Sequence, residues 1–183
     1  IPIVVFGFLF KDAIEKDLRS LTVVAAGLIG MALLLAVSER VGKKERGLST
    51  VTLKDGLVVG LFQAMALIPG CSRSGSTITG ALFSGFDRAT AARFSFLLSL
   101  PAILLAGLYT TYEHRAEFAA QATELLVANL VSLAVGYACI AWLMKLLQSR
   151  STMGFVIYRV ILGAAILAAI FSGQLDPFAG MGR

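Results

Sequence analysis

The chain has 183 residues, 57% of them hydrophobic and 15% charged, with a mean hydropathy of +0.84. A soluble domain is nearer half apolar and about a quarter charged, so these values exclude a one-core soluble protein and point to an all-α integral membrane bundle. The net charge of +5 then reads as cytoplasmic loops rather than nucleic-acid binding. The two cysteines, Cys71 and Cys139, form neither a disulfide framework nor a zinc site.

Residues 1–10, IPIVVFGFLF, are apolar but too few for a crossing, which needs about 20. They lack a Met and a polar lead, and read as the tail of a helix that begins upstream. A truncated chain, the C-terminal portion of a longer protein, is therefore expected. After the polar KDAIEKDLRS, residues 21–37 form a spanning helix with small residues for close packing. SERVGKKERGLST is a basic loop. Residues 89–109 are a span interrupted by Pro101, with Asp87 as N-cap. Residues 123–144 and 153–172 are two more, and no boundary divides residues 1–183 into separate domains. His114 lies in a polar loop and reads as solvated.

The stretch 52–86 differs. Thr52 and Asp55 have the spacing of a capping box, opening a helix to about Ile68. Pro69-Gly70 breaks it, and a second helix starts near Ser74 and runs to about Gly85. The two arms are about 24 Å and 17 Å long, against a hydrocarbon core of about 30 Å. A re-entrant hairpin with its tip near midplane is expected. Loop charge agrees. With the hairpin returning to the cytoplasmic side, Arg40, Lys43, Lys44, Arg46, Lys54, Arg88, Arg93, Lys145 and Arg150 lie inside. Lys11, Lys16, Arg19, Arg115 and Arg183 lie outside. That is nine against five, whereas a single crossing leaves seven on each side and no bias.

The hairpin tip reads PGCSRSGST, residues 69–77. Irregular backbone at membrane depth needs protein or a wet cavity around it, and an arginine there is a functional hypothesis. No Asp or Glu lies in the interior of any predicted membrane segment, Asp55 and Glu124 standing at the starts of theirs, so Arg73 calls for an acid elsewhere or an anionic ligand. Gly70 and Gly75 allow close backbone approach. The N-terminus of the second helix favours an anion. Ser72, Ser74, Ser76 and Thr77 add donors, and Arg73 can grip two phosphate oxygens at once. Together they describe a phosphate or diphosphate site. Gln63, on the first arm, joins the binding set or bonds a neighbouring helix. For Arg159, in the last span, snorkelling and a site role both stay open. The segment is not a P-loop, because Ser76 stands where the lysine belongs and no strand precedes it. Nor is it a cysteine-phosphatase loop, since Thr77 replaces the required arginine.

Here the sequence resembles the bacterial undecaprenyl-diphosphatase family of the bacitracin-resistance type. The hallmark P-G-x-S-R-S-x-x-T reads without departure as Pro69 to Thr77, flanked by GLFQAMALIPG and ARFSFLLSLPA, with YRVILGAA in the last span. The resemblance covers essentially the whole chain. It implies an inverted-repeat membrane fold with two re-entrant hairpins, of which this chain holds the second. It implies hydrolysis of undecaprenyl diphosphate to the monophosphate in the bacterial inner membrane, recycling the lipid carrier of cell-wall synthesis. By that match Arg73 binds the diphosphate, with Ser72, Ser74 and Thr77 completing the catalytic set, and Gly70, Gly75, Ser76 and Gln63 lie around it. The partners expected are a polyprenyl diphosphate lipid and the bilayer, with a homodimer left open. The family's other hairpin carries a glutamate-rich stretch and a proline-serine-histidine segment, and nothing here matches them. No nucleophile, general base or metal ligand is carried over, and any divalent cation would find its ligands outside this chain. This piece alone is expected to be inactive. A transporter or flippase for a lipid phosphate is the competing reading, because the same hairpin architecture serves carriers. A structural subunit without ligand leaves Arg73 unexplained.

Overall fold

A computed structural model of the chain describes residues 2–10, 18–115 and 122–178. Lys11, Lys16 and Arg183, expected on the outer side, lie outside the described residues. Among the described residues seven α-helices follow in order: α1 Pro2–Leu9, α2 Leu21–Val41, α3 Leu53–Ala64, α4 Arg73–Phe83, α5 Arg88–Glu113, α6 Ala122–Ser149 and α7 Met153–Phe171. Among the described residues there is no strand, only an isolated bridge between Arg46 and Phe86. Four helices, α2, α5, α6 and α7, are long and apolar enough to cross a bilayer. The chain is an all-α, multi-pass integral membrane bundle.

Local chemistry sets the helix starts. Ser20 accepts from the Val23 N–H at the start of α2. Thr52 and Asp55 close the capping box of α3 from both directions. Asp87 accepts from the Thr90 N–H at 2.9 Å to start α5. Each cap satisfies an N–H that the helix itself leaves orphaned. The 21 residues of α2 rise about 31 Å, a full hydrocarbon core.

α3 and α4 form the hairpin. The first arm ends in a 3-10 turn at Met65–Leu67, and the chain reverses through Pro69 and Gly70. The arms pack on each other, with Phe62 and Phe83 ring centroids 5.8 Å apart and Gly80 leaving no room for a side chain beside Phe62. The open end is closed by Arg46. Its guanidinium donates to both Asp55 carboxylate oxygens, at 2.8 and 2.7 Å, and to the Ser84 carbonyl at 2.8 Å. One residue therefore holds the start of α3 and the end of α4 together. Arg46 also covers the Phe86 ring at 4.4 Å.

α2 is the spine against which the hairpin lies. A Cβ on Gly42 would meet the Leu82 carbonyl at 2.5 Å, and one on Gly27 would meet the Pro69 carbonyl at 2.5 Å. The hairpin base thus sits at one end of α2 and its tip near the other. The tip lies at the level of Val24–Leu28, beyond the helix midpoint at Met31. The apolar core gathers Leu35, Val59, Leu82, Phe86 and Val156 near the hairpin base.

The structure shortens the basic loop expected after α2. Glu39, expected in the basic loop, lies inside α2, which continues to Val41, and is buried. It is neutralised on the spot. Arg88 Nε donates to its Oε1 at 2.7 Å, Thr152 donates to its Oε2 at 2.8 Å, and Lys44 lies near. A carboxylate so paired joins α2, α5 and the start of α7, and among the described residues no acid pairs with Arg73.

Candidate diphosphate site at the hairpin tip

The tip is built by two backbone conformations that side chains rarely adopt. Gly70 has φ +91°, and a Cβ there would meet the Val24 carbonyl at 2.1 Å, so glycine is required on both counts. Ser72 has φ +45° despite its side chain, a strained state of the kind found at functional sites. It is the N-cap of α4, its Oγ accepting from the Gly75 N–H at 3.3 Å. The helix expected from near Ser74 therefore begins one residue earlier, at Arg73, and the cap is Ser72.

This geometry turns Ser72, Arg73 and Ser74 outward, all three exposed. They form one wall of a cavity of about 670 Å³ between α4, α5 and α6. The rest of its lining is Arg93, Ser99 and apolar side chains, Phe96, Leu97, Leu100, Ile103, Ile140 and Met144. Phe96 and Leu97 thus face the same space as Arg73, while Phe94 packs edge-on against Phe86 in the core. Ser72 and Ser74 also border a second cavity of about 390 Å³, with Gly75, Arg159 and a mainly apolar lining.

The other residues singled out by the motif serve the scaffold around this wall. Ser76 is 0% exposed and donates to the Cys71 carbonyl at 2.9 Å. Thr77, 1% exposed, bonds the Arg73 and Ser74 carbonyls and the Ser95 hydroxyl, the last at 2.6 Å. Neither lines the Arg73 cavity. Gln63 is buried on α3 and borders neither cavity. The hydroxyls of Ser76 and Thr77 hold α4 to the tip turn and to α5, and so fix where Arg73 points.

Two residues that the motif does not mark complete the picture. Arg159 neither snorkels nor reaches the Arg73 cavity. It is 9% exposed, donating from Nη2 to the Gly70 carbonyl at 2.6 Å and from Nε to the Leu28 carbonyl at 3.4 Å. It pins the tip to α2. Its depth in an apolar span is the signal the sequence offers for it. Arg93, counted from the sequence among the cytoplasmic-side charges, shares the cavity with Arg73.

An arginine, two outward hydroxyls and a helix N-terminus in a cavity otherwise lined by Arg93, Ser99 and apolar side chains suit an anion with an apolar tail. They do not suit a metal ion. The cavity offers cationic and hydroxyl groups, and among the described residues no three His, Cys, Asp or Glu side chains gather to hold one.

Residues 1–165 match the family model described as bacitracin resistance protein BacA. Similar curated proteins bear the name undecaprenyl-diphosphatase. That of Prosthecochloris aestuarii is 49% identical over 186 residues, covering 96% of this chain and 66% of the relative. That of Chlorobium chlorochromatii is 49% identical, covering 97% and 66%. That of Myxococcus xanthus is 45% identical, covering 99% and 61%. The chain thus spans just under two thirds of the length of these relatives. The chain, with its tip motif and its helical bundle, belongs to the bacitracin resistance protein BacA family.

Proposed function

We propose that this chain supplies the headgroup site of a membrane phosphatase that hydrolyses undecaprenyl diphosphate to undecaprenyl phosphate. The observation that carries the reading is Arg73, exposed at the N-terminus of α4 in a cavity whose remaining wall is largely apolar. Arg73 grips two oxygens of one phosphate. The free N–H groups at the start of α4 and the hydroxyls of Ser72 and Ser74 take further oxygens. Phe96, Leu97 and Ile140 accept the first prenyl carbons. In the reaction water adds across the P–O–P bridge, releasing phosphate and leaving the prenyl monophosphate. Among the described residues no carboxylate or imidazole lines the cavity, and the role assigned to these residues is orientation and charge stabilisation.

The hairpin is read as re-entrant, both ends on the cytoplasmic side of the bacterial inner membrane, because Arg46 ties its entry to its exit. The product would return to the carrier pool of cell-wall synthesis, and the family's link to bacitracin resistance fits that place. A flippase is less well supported, since the similar proteins are named for hydrolysis. Nothing on the described surface singles out a homodimer.

The test uses the complete protein in detergent with polyprenyl diphosphate, measuring phosphate release per folded molecule. Arg73→Lys is expected to lose about 100-fold or more in kcat, roughly 3 kcal/mol, nearly as much as Arg73→Ala. Lysine keeps the charge but cannot span two oxygens. A near-wild-type lysine variant would remove the bidentate role. Absence of phosphate release by the unaltered protein would favour the carrier.

A further inference from the structure

The cavity that holds Arg73 holds a second cation. Arg93 stands on the second turn of α5, exposed, and lines the same space. Other arginines near the hairpin are matched: Arg46 to Asp55 and Arg88 to Glu39, and Arg159 to two carbonyls. Among the described residues, neither Arg73 nor Arg93 makes an ion pair.

Their spacing follows from the packing. The Thr77–Ser95 hydrogen bond of 2.6 Å fixes the register of the antiparallel helices α4 and α5. Arg73 then lies level with Ser99, and Arg93 level with Thr79. The two backbones are offset by about 9 Å along the helix axes, a distance that two extended arginine side chains close. Two like charges converging on an apolar wall repel each other unless an anion with two charged groups sits between them. A single phosphate engages one guanidinium fully; two phosphates in a row engage both.

We propose that Arg93 grips the second phosphate group and sets the preference for a diphosphate over a monophosphate headgroup. The proposal rests on reading the Arg73 cavity as the phosphate site. Arg73 and the start of α4 hold one phosphate, and Arg93 holds the other from nearer the hairpin base. After hydrolysis the monophosphate loses the Arg93 contact and is released more readily than the substrate.

The experiment measures dissociation constants on the complete protein in detergent. The probes are farnesyl monophosphate and the non-hydrolysable methylene-bridged analogue of farnesyl diphosphate. Arg93→Gln is expected to weaken the diphosphate analogue by about 10- to 100-fold, the worth of one charged hydrogen-bonding contact. The monophosphate should change by less than a factor of about 3. Arg93→Lys should recover part of the loss, and Arg73→Gln should weaken both probes. The ratio of the two constants, taken on one preparation, is independent of the folded fraction. If Arg93→Gln leaves that ratio unchanged while Arg73→Gln weakens both probes, the role of Arg93 is overturned and the phosphate site stands. If neither substitution alters the binding of either probe, the phosphate site itself falls, and the proposal with it.

Discussion

At the residue scale, two arginines of the same neighbourhood do opposite work. Arg73 faces a cavity that, among the described residues, no carboxylate lines, whereas Arg159 is spent on the carbonyls of Gly70 and Leu28. A buried carbonyl that loses its donor costs about 1–3 kcal/mol. Arg159→Met is therefore expected to lower stability by about 3 kcal/mol, read as a fall in melting temperature in detergent. Arg73→Lys should leave that temperature unchanged while damaging turnover. An Arg159→Met protein that melts like the unaltered one would show that the tip holds without this pin. The contrast also shows what a motif discloses. Pro69-Gly70 and an arginine at membrane depth mark the tip from residue types alone. The commitments of Ser76 and Thr77 do not show, because beyond the local carbonyls of Cys71, Arg73 and Ser74 their hydroxyls meet the Met31 sulfur and the Ser95 hydroxyl, 45 and 18 residues away. A hydroxyl reads the same in sequence whether it faces a ligand or a packed neighbour.

At the element scale, the helix starts are legible in the sequence and the ends less so. Thr52, Asp55 and Asp87 carry their capping chemistry within four residues. The extension of α2 through Glu39 depends instead on Arg88 and Thr152, far along the chain. The hairpin base is held by the Arg46–Asp55 pair. Hydrogen bonding from Arg46, and then from Thr52, holds the Asp55 carboxyl well below the usual carboxylate range. A depressed folded-state value stabilises the fold above the unfolded value of about 3.9 and is lost as pH falls through the folded one. Between pH 5 and 8 the contribution is therefore expected to be constant. Asp55→Asn should lower the melting temperature by a similar few degrees at every pH in that window, and the gap to the unaltered protein should close on strong acidification. A gap that varies between pH 5 and 8 would mean that Asp55 does not titrate as its contacts imply.

At the scale of the whole molecule, the topology of the hairpin decides which side each later helix end occupies. With both hairpin ends together, α5 starts on the side where α2 finishes. Single cysteines at Lys54 and Ala89 are expected to react with an impermeant reagent from the same, cytoplasmic, side in inverted vesicles. Labelling from opposite faces would remove the re-entrant reading and leave the loop charges unbiased. Ala89 is preferred to Arg88, whose guanidinium is committed to Glu39. The bundle as a whole is readable because a chain that is 57% hydrophobic, with its apolar residues in long runs, exceeds what one soluble core can bury. The shared cavity of Arg73 and Arg93 is not, since it depends on the register of α4 against α5, which a single hydroxyl pair fixes.

The Arg46 clasp also imposes an order in time. Its Ser84 partner is 38 residues further along the chain, which at 5–20 residues per second is roughly 2–8 s of synthesis. Until then the first arm has its capping box and its Asp55 contact but no second arm to lie against. The newborn protein passes through a stage in which α3 lies against α1, with Gly60 beside Pro2, and the turn at Gly70 is still to be made. Ser84 completes the clasp once the tip has been made, so the hairpin is locked before α5 and α6 arrive to wall the headgroup cavity.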